Sequence, residues 1–437
     1  ISVSATTTLN GIAYGWPSAD GSSGQVLSTN GAGALSWATP ASGASIGGAV
    51  TSGTAGSVLF ASSTAILGQN NANFFWDTAN LRLGIGTNTP SSTLHVAGAI
   101  TLPSTTSSVI GVVNLDATRF IHAYGTRNAF VGAGSGNFTL TGTDNVGVGS
   151  STLAAVTTGN LNVAIGSGAL KANTTGIENT AIGYNALTGN TTGYNNTASG
   201  LNALYTNTTG GDNVASGYYA LAFNTTGNYN VSSGRQALFS NTTASNNTAI
   251  GKDSLYSNTT ASNNTALGYQ AGYSNATGTP NTAVGYQALY ANRASNNDAF
   301  GYQTLDSNTT GSKNSAFGTQ ALQANTSGYE NTASGYQSLY ANTTGYNNTA
   351  SGLQSLFANT TGANNTASGH YSLSENTIGA QNTASGKESL YLNTTGANNT
   401  ASGYVSLRAN TTGGQNTGFG SYSLYANTTG GSNTGLG

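Results

Sequence analysis

One short phrase constrains this chain more than any other feature in it. From residue 128 onward Asn-Thr-Ala-x-Gly, with small variations, returns nineteen times, its Asn falling at 128, 145, 162 and onward to 433. Seventeen of the eighteen intervals are 17 residues long, and one, Asn281 to Asn297, is 16. A helical hairpin repeat needs about 33 residues or more. The shorter period fits one coil of a β-solenoid, in which each coil touches only its neighbours. The fold class expected is therefore all-β: an elongated β-solenoid preceded by small β units.

With the phrase's Asn as position 1, residues 331–347 read NTASGYQSLYANTTGYN. Stacked coils place equivalent residues above one another, about 4.8 Å apart. Ala at position 3 and Leu at position 9 (Leu187, Leu204) then become interior ladders. Gly at position 5 (Gly183, Gly200) marks a corner with positive φ or close backbone packing. Asn at position 1 (Asn179, Asn196) and position 12 (Asn190, Asn207) can form side-chain amide ladders at the bends. The Asn-Thr-Thr-Gly phrase is turn chemistry. The segment YQALYA leaves a choice between a continued β-coil, which the period favours, and a short helical turn with Ala and Leu inward.

Composition removes whole classes of function. Of 437 residues only 22 are charged, Lys+Arg 10 and Asp+Glu 12, or 5%, against roughly 25% in an average soluble domain. A net charge of -2 excludes a nucleic-acid surface built from clustered cations. Zero Cys excludes disulfides and thiolate zinc sites. His95, His122 and His370 are too far apart for a local ligand motif. GAGSG at 132–136 lacks dinucleotide spacing, and Gly251-Lys252 continues into Asp253, so no nucleotide cofactor is indicated. Lys387-Glu388 and Asp116 near Arg119 read as solvated or locally paired charges, and His370 occupies a slot that Tyr often fills. The expectation is a chain with no catalytic residues, cofactor or metal, and no apolar run long enough for a spanning helix.

Three regions are delimited. Residues 1–57 hold strand candidates around Asp20-Gly21 and Asn30-Gly31, then a Gly/Ser/Ala-rich linker at 40–57. Residues 58–127 offer apolar runs FFW, LRLGIG and TLHVAGAI, and a transition rich in bulky residues (Phe120, Ile121, His122, Tyr124) that can cap the array. Residues 128–437 are the array, which would span about 86 Å at one coil per interval.

At these phrases a resemblance enters. WPSADGSSGQVLSTNGAGALSWA, NANFFWDTANLRLGIGTNTPSSTLHVAG and RFIHAYGTRNAFVG, followed by the array, resemble tail-fibre-domain proteins of bacteriophages and bacterial surfaces. The NTAIG and NTAVG units (179–183, 281–285) are similar to head repeats of trimeric autotransporter adhesins, whose units are shorter. The resemblance implies a homotrimeric extracellular fibre, on a virion tail or a bacterial surface, reaching a host glycan or receptor. Many such relatives end in a self-cleaving chaperone domain, which nothing here matches. The last unit is ordinary, so the natural protein is expected to continue past Gly437.

Tyrosines are the candidate contact residues. Of 23 Tyr, 21 follow residue 145, mostly at position 6 (Tyr184, Tyr286, Tyr336) and position 10 (Tyr205, Tyr256, Tyr290, Tyr340). Stacked, they would make aromatic stripes serving either as a subunit interface or as a sugar platform. Position 4 alternates between apolar residues (Ile165, Ile182, Leu267, Val284, Phe300, Phe317, Phe419) and Ser (Ser199, Ser216, Ser334). Its apolar stretches need covering, which a three-fold bundle would supply. Asn-x-Thr sequons such as Asn173, Asn190 and Asn359 are explained by turn and ladder duty without glycosylation. Two other roles stay open: a self-assembling extracellular filament, and an ice- or crystal-binding solenoid using the Thr files at positions 13 and 14.

Overall fold

A computed structural model describes residues 6–9, 11–39, 59–63, 66–69 and 74–437. The Gly/Ser/Ala-rich stretch at 40–57 lies outside the described residues. Two compact units are present, residues 1–101 and 102–437. Among the described residues there is no helix.

The first unit is made of small sheets. β1 (Thr6–Leu9) pairs antiparallel with β2 (Ile12–Gly15), and β3 (Val26–Thr29) with β4 (Leu35–Ala38). Asn30 makes the second turn: its Oδ1 accepts the N–H groups of Ala32 and Ala34 at 2.9 and 3.1 Å. Asp20-Gly21 packs under Trp37, whose ring would collide with a Cβ on Gly21 and whose Nε1 donates to the Ala19 carbonyl at 2.9 Å. β5 (Leu59–Ser63) and β6 (Ile66–Gln69) form a further antiparallel pair. β7 (Phe74–Asp77), β8 (Arg82–Ile85) and β9 (Leu94–Val96) make a three-stranded sheet from the runs FFWD, RLGI and LHV.

The second unit is the β-solenoid. β10 (Val113–Leu115) and β11 (Thr118–His122) pair antiparallel, and β11 lies antiparallel on β12 (Ala129–Val131), the first strand of the array. From there each coil adds one parallel strand to a single sheet, ending at β30 (Thr434–Leu436). Register is kept throughout: Ala181 pairs with Ala198, and Ala333 with Ala350. Position 3 points inward and positions 2 and 4 outward, the alternation that pleating imposes. One Ala and one Leu per coil fill the core, with an Ala, Ser or Thr at position 8 that is also buried.

Strand is confined to positions 2–4, with position 1 added at Asn281 and Asn297. The stretch from position 6 to position 11 is neither the continued β-coil nor the helical turn that the sequence suggests, but a run of tight turns. Positions 7, 9 and 17 have left-handed backbone, for example Gln337 (φ 52), Leu339 (φ 50) and Asn347 (φ 53). These reversals send successive N–H groups to opposite neighbours. Gln337 donates back to the Thr319 carbonyl at 3.0 Å, and Leu339 forward to the Ser355 carbonyl at 3.0 Å. A helix would spend those donors inside one coil, whereas here they tie three coils together. Where Leu is absent from position 9, Gly272 keeps the left-handed backbone (φ 61).

The position-5 corner explains its glycine. Gly335 has φ 138, and a Cβ there would lie 2.4 Å from the Gly352 oxygen. Gly335→Val is therefore expected to destabilise the array by about 3 kcal/mol, from backbone strain alone. Leu339→Asp, which buries a charge between Leu322 and Leu356, is expected to cost several kcal/mol. Chemical denaturation followed by circular dichroism checks both, and unchanged midpoints would contradict this coil registration.

Candidate functional site

Two columns of asparagine run through the interior. At position 1, Asn196 donates its backbone N–H and its Nδ2 to Asn179 Oδ1, both at 3.1 Å, and Nδ2 also reaches the Gly210 carbonyl at 2.8 Å. At position 12, Asn207 Nδ2 donates to Asn190 Oδ1 at 2.8 Å and to the same Gly210 carbonyl at 2.9 Å. The position-15 carbonyl thus joins the two columns within the coil, here and in most others. A Cβ on Gly210 would lie 2.5 Å from Asn207 Oδ1 and from the Gly227 oxygen, so glycine is the usual residue here, although Ala244 and Ala261 take the same position in two coils. Gly183 and Gly200 sit above one another at the corner (φ 136 and 138), and Leu187 and Leu204 are fully buried. The position-12 sequon residues Asn173, Asn190 and Asn359 are also fully buried, their Nδ2 atoms committed within the interior.

The outward surface is where a partner would bind. Tyr256 stacks between Phe239 and Tyr273 at 5.0 and 5.1 Å, Tyr290 follows Tyr273 at 5.1 Å, and Tyr340 stacks on Phe357 at 5.1 Å. Tyr286 stacks between Tyr269 and Tyr302. In these files the ring faces cover one another, so edges and hydroxyls point out; a sugar stacking on a ring needs an open face. Tyr184, Tyr205 and Tyr336 stand at positions whose neighbours in the adjacent coils are not aromatic. Between the two files runs a glutamine ladder at position 7, with Gln354 Nε2 donating to Gln337 Oε1 at 2.7 Å.

No family model matches this chain, and no curated protein matches it.

On the sheet face, position 4 is exposed in apolar blocks: Ile182 is 44% and Phe317 43% accessible, and Phe300 stacks on Phe317 at 5.0 Å. The position-13 threonines are occupied internally, since Thr343 Oγ1 donates to the Thr360 carbonyl at 3.0 Å. That file is a ladder, and its hydroxyl protons are not offered to a lattice.

Charges pair across coils. Arg127 holds Asp144 at 2.5 Å, and this bond, with that from Thr143, lowers the Asp144 carboxyl to about 2. Lys313 meets Glu330 at 2.9 Å, and Glu388 takes both Arg408 at 2.8 Å and Lys387 at 3.6 Å. Arg119 donates to the Gly136 carbonyl and lies over the Phe138 ring. His370 is exposed and stacks on Tyr371. Among the described residues no group of three His, Asp or Glu could hold a metal ion, and no helix is long and apolar enough to cross a membrane.

At the cap, Phe130 replaces the usual position-3 Ala and fills the first core level. Gly147, at the same position one coil on, makes room: a Cβ there would meet the Phe130 ring at 2.9 Å. A recess of about 420 Å³ lies beside it, lined by Leu102, Pro103, Ile121, His122 and Val131. His122 is buried, its Nε2 2.8 Å from the Ser135 carbonyl, between the Phe130 and Phe138 rings.

Two outcomes follow from these contacts. Burial, and secondarily Arg119, hold His122 below its ordinary value of 6.5, against the opposing Ser135 carbonyl. The neutral ring is the one the fold accepts. Cap stability is complete above the unfolded value and falls as pH drops through the folded one. Hydrogen exchange over residues 118–131, corrected for intrinsic rates, is expected to accelerate as pH falls below about 6.5, the ordinary imidazole value. Asn342→Asp is expected to cost roughly 3 kcal/mol at neutral pH, because a carboxylate offers no donor to Asn325 Oδ1 or the Gly345 carbonyl. Its folded pKa would be raised above about 3.9. The variant should be least impaired below that value and lose stability as pH rises through the folded pKa; urea titrations in acid and at neutrality check it.

Proposed function

We propose that this chain is a structural, non-catalytic fibre segment: an extracellular stalk, on a virion tail or a bacterial surface, that carries a receptor-contacting surface. The observation that carries the reading is the internal commitment of the polar groups. Asparagine amides, position-13 hydroxyls and most turn N–H groups are spent binding each coil to the next, which builds a shape-persistent column. Sparse charge, some of it paired between neighbouring coils, fits the same role.

The assembled form proposed is a homotrimer, with the apolar position-4 blocks around Ile182 and Phe317 turned toward the neighbouring copies. Such blocks are the covered kind of surface in obligate assemblies. The receptor proposed is a host-surface glycan, met by tyrosine edges and hydroxyls together with the position-7 glutamines, and by the unstacked Tyr184, Tyr205 and Tyr336. Light-scattering mass of the purified chain is expected to be three times 43.5 kDa; a monomer sinks the trimer. Incubation with surface glycans should show retention without turnover, and reproducible cleavage would overturn the non-catalytic reading.

A further inference from the structure

Both asparagine columns break at one level. At position 1, Asn264 still donates its backbone N–H to Asn247 Oδ1, but its own Nδ2 and Oδ1 have no partner. At position 12, Asn258 Oδ1 has none, and Asn275 Nδ2 reaches only the Gly278 carbonyl. Asn258 and Asn264 are 0% and 1% accessible. These supply three of the seven unpartnered buried side-chain atoms among the described residues. At position 1 the backbone rung returns at Asn297, whose N–H donates to Asn281 Oδ1, and the amide column resumes at Asn314, whose Nδ2 donates to Asn297 Oδ1 at 3.2 Å; at position 12 it resumes at Asn308, whose Nδ2 donates to Asn292 Oδ1 at 2.6 Å.

The causes are legible residue by residue. The turn Asn292-Arg-Ala-Ser-Asn296 is one residue shorter than its counterparts. Pro280 stands at position 17 and has no N–H, where Asn347 in its own coil donates to the Tyr329 carbonyl at 3.1 Å. The orphaned Ser262 carbonyl takes the Thr279 hydroxyl instead. Ala276 lacks the position-13 hydroxyl that crosses between coils elsewhere. All of these lie on the turn side, positions 12–17.

The opposite side is reinforced at the same level. Phe239, Tyr256, Tyr273 and Tyr290 stack continuously, as do Tyr269, Tyr286 and Tyr302. Gln287 donates to Gln270 at 3.0 Å, and Gln303 to Gln287 at 3.2 Å. Backbone rungs persist, with Gly272 donating to the Ala288 carbonyl at 2.9 Å and Ser274 to that of Tyr290 at 2.9 Å.

We propose that residues 258–297 form an opening joint: the turn side parts locally while the tyrosine side stays stacked and acts as its spine. Opening gives water to Asn258 and Asn264, whose burial without partners is costly, so the closed state has less to lose here than at any intact rung. The joint is a property of the column and does not depend on what the column binds.

Amide hydrogen exchange of the full chain, resolved by mass spectrometry, tests it. Amides at 258–264 and 275–281 are expected to exchange at least about tenfold faster than their equivalents at 342–348 and 359–365. Those at 269–274 and 286–290 should remain as slow as elsewhere. Repairing the turns, with Ala276→Thr, Pro280→Asn and one Thr inserted between Arg293 and Ala294, should remove the difference. Uniform protection along the natural array would overturn the proposal, as would equally fast exchange on the tyrosine side.

Discussion

The hydrogen bond from one asparagine amide to the next is the interaction on which the rest of the fold depends. An amide carries donor and acceptor on one planar group, so identical residues can bond in a column without limit. Asn196 uses both Nδ2 hydrogens, on Asn179 Oδ1 and the Gly210 carbonyl. Its own Oδ1 then accepts the backbone N–H and Nδ2 of Asn213. The bond tolerates no slip. A coil one residue out of phase would lose both columns at once, and even in phase the amide of Asn264 is left without partners where the neighbouring turns change. The period, the glycines at the crowded corners and the size of the core side chain all follow from keeping those amides in contact.

Stacking also explains why charge is so scarce. A residue type placed at one position meets its own kind a strand spacing away, and like charges repel at that distance. Tyr, Asn, Gln and Thr are indifferent to self-stacking or gain from it. Charged residues therefore enter singly or as opposites in successive coils, such as Lys313 with Glu330. Arg235 and Lys252 are consecutive at position 6, but Lys252 turns to Asp253 and Arg235 lies over the Tyr218 ring.

Much of the fold was legible because repetition amplifies weak signals. A single Asn says little, but Asn at the same position in coil after coil implies a buried, self-complementary role, and the Ala and Leu periodicities point inward. The hairpin around Asn30-Gly31 was readable from its turn residues. Burial of position 8 was hidden because Ala, Ser and Thr there look like surface composition. The left-handed backbone at Leu339 ran against propensity, since leucine avoids positive φ in isolation; neighbouring coils impose it by demanding an N–H in that direction. Phe130 and Gly147 form a complementary pair visible only when the two levels are superimposed. The outward surface was least legible. The tyrosine stripes could be read from their spacing, but not which way the rings would turn.

The amide columns also have a direction. Asn145, Asn196 and Asn348 all send Nδ2 toward the preceding coil and offer Oδ1 to the following one. Backbone donors run both ways but not equally: Thr332, Leu339, Ala341, Thr343, Thr344 and Gly345 donate to the following coil, and Gly335, Gln337 and Asn347 to the preceding one. The position-13 hydroxyls point forward too, as Thr343 Oγ1 does. Within a column the amide dipoles add, as peptide dipoles do along a helix, and they run against those forward donors. The two columns of a coil run parallel, so every coil has unlike faces: one that presents amide donors and one that presents amide acceptors.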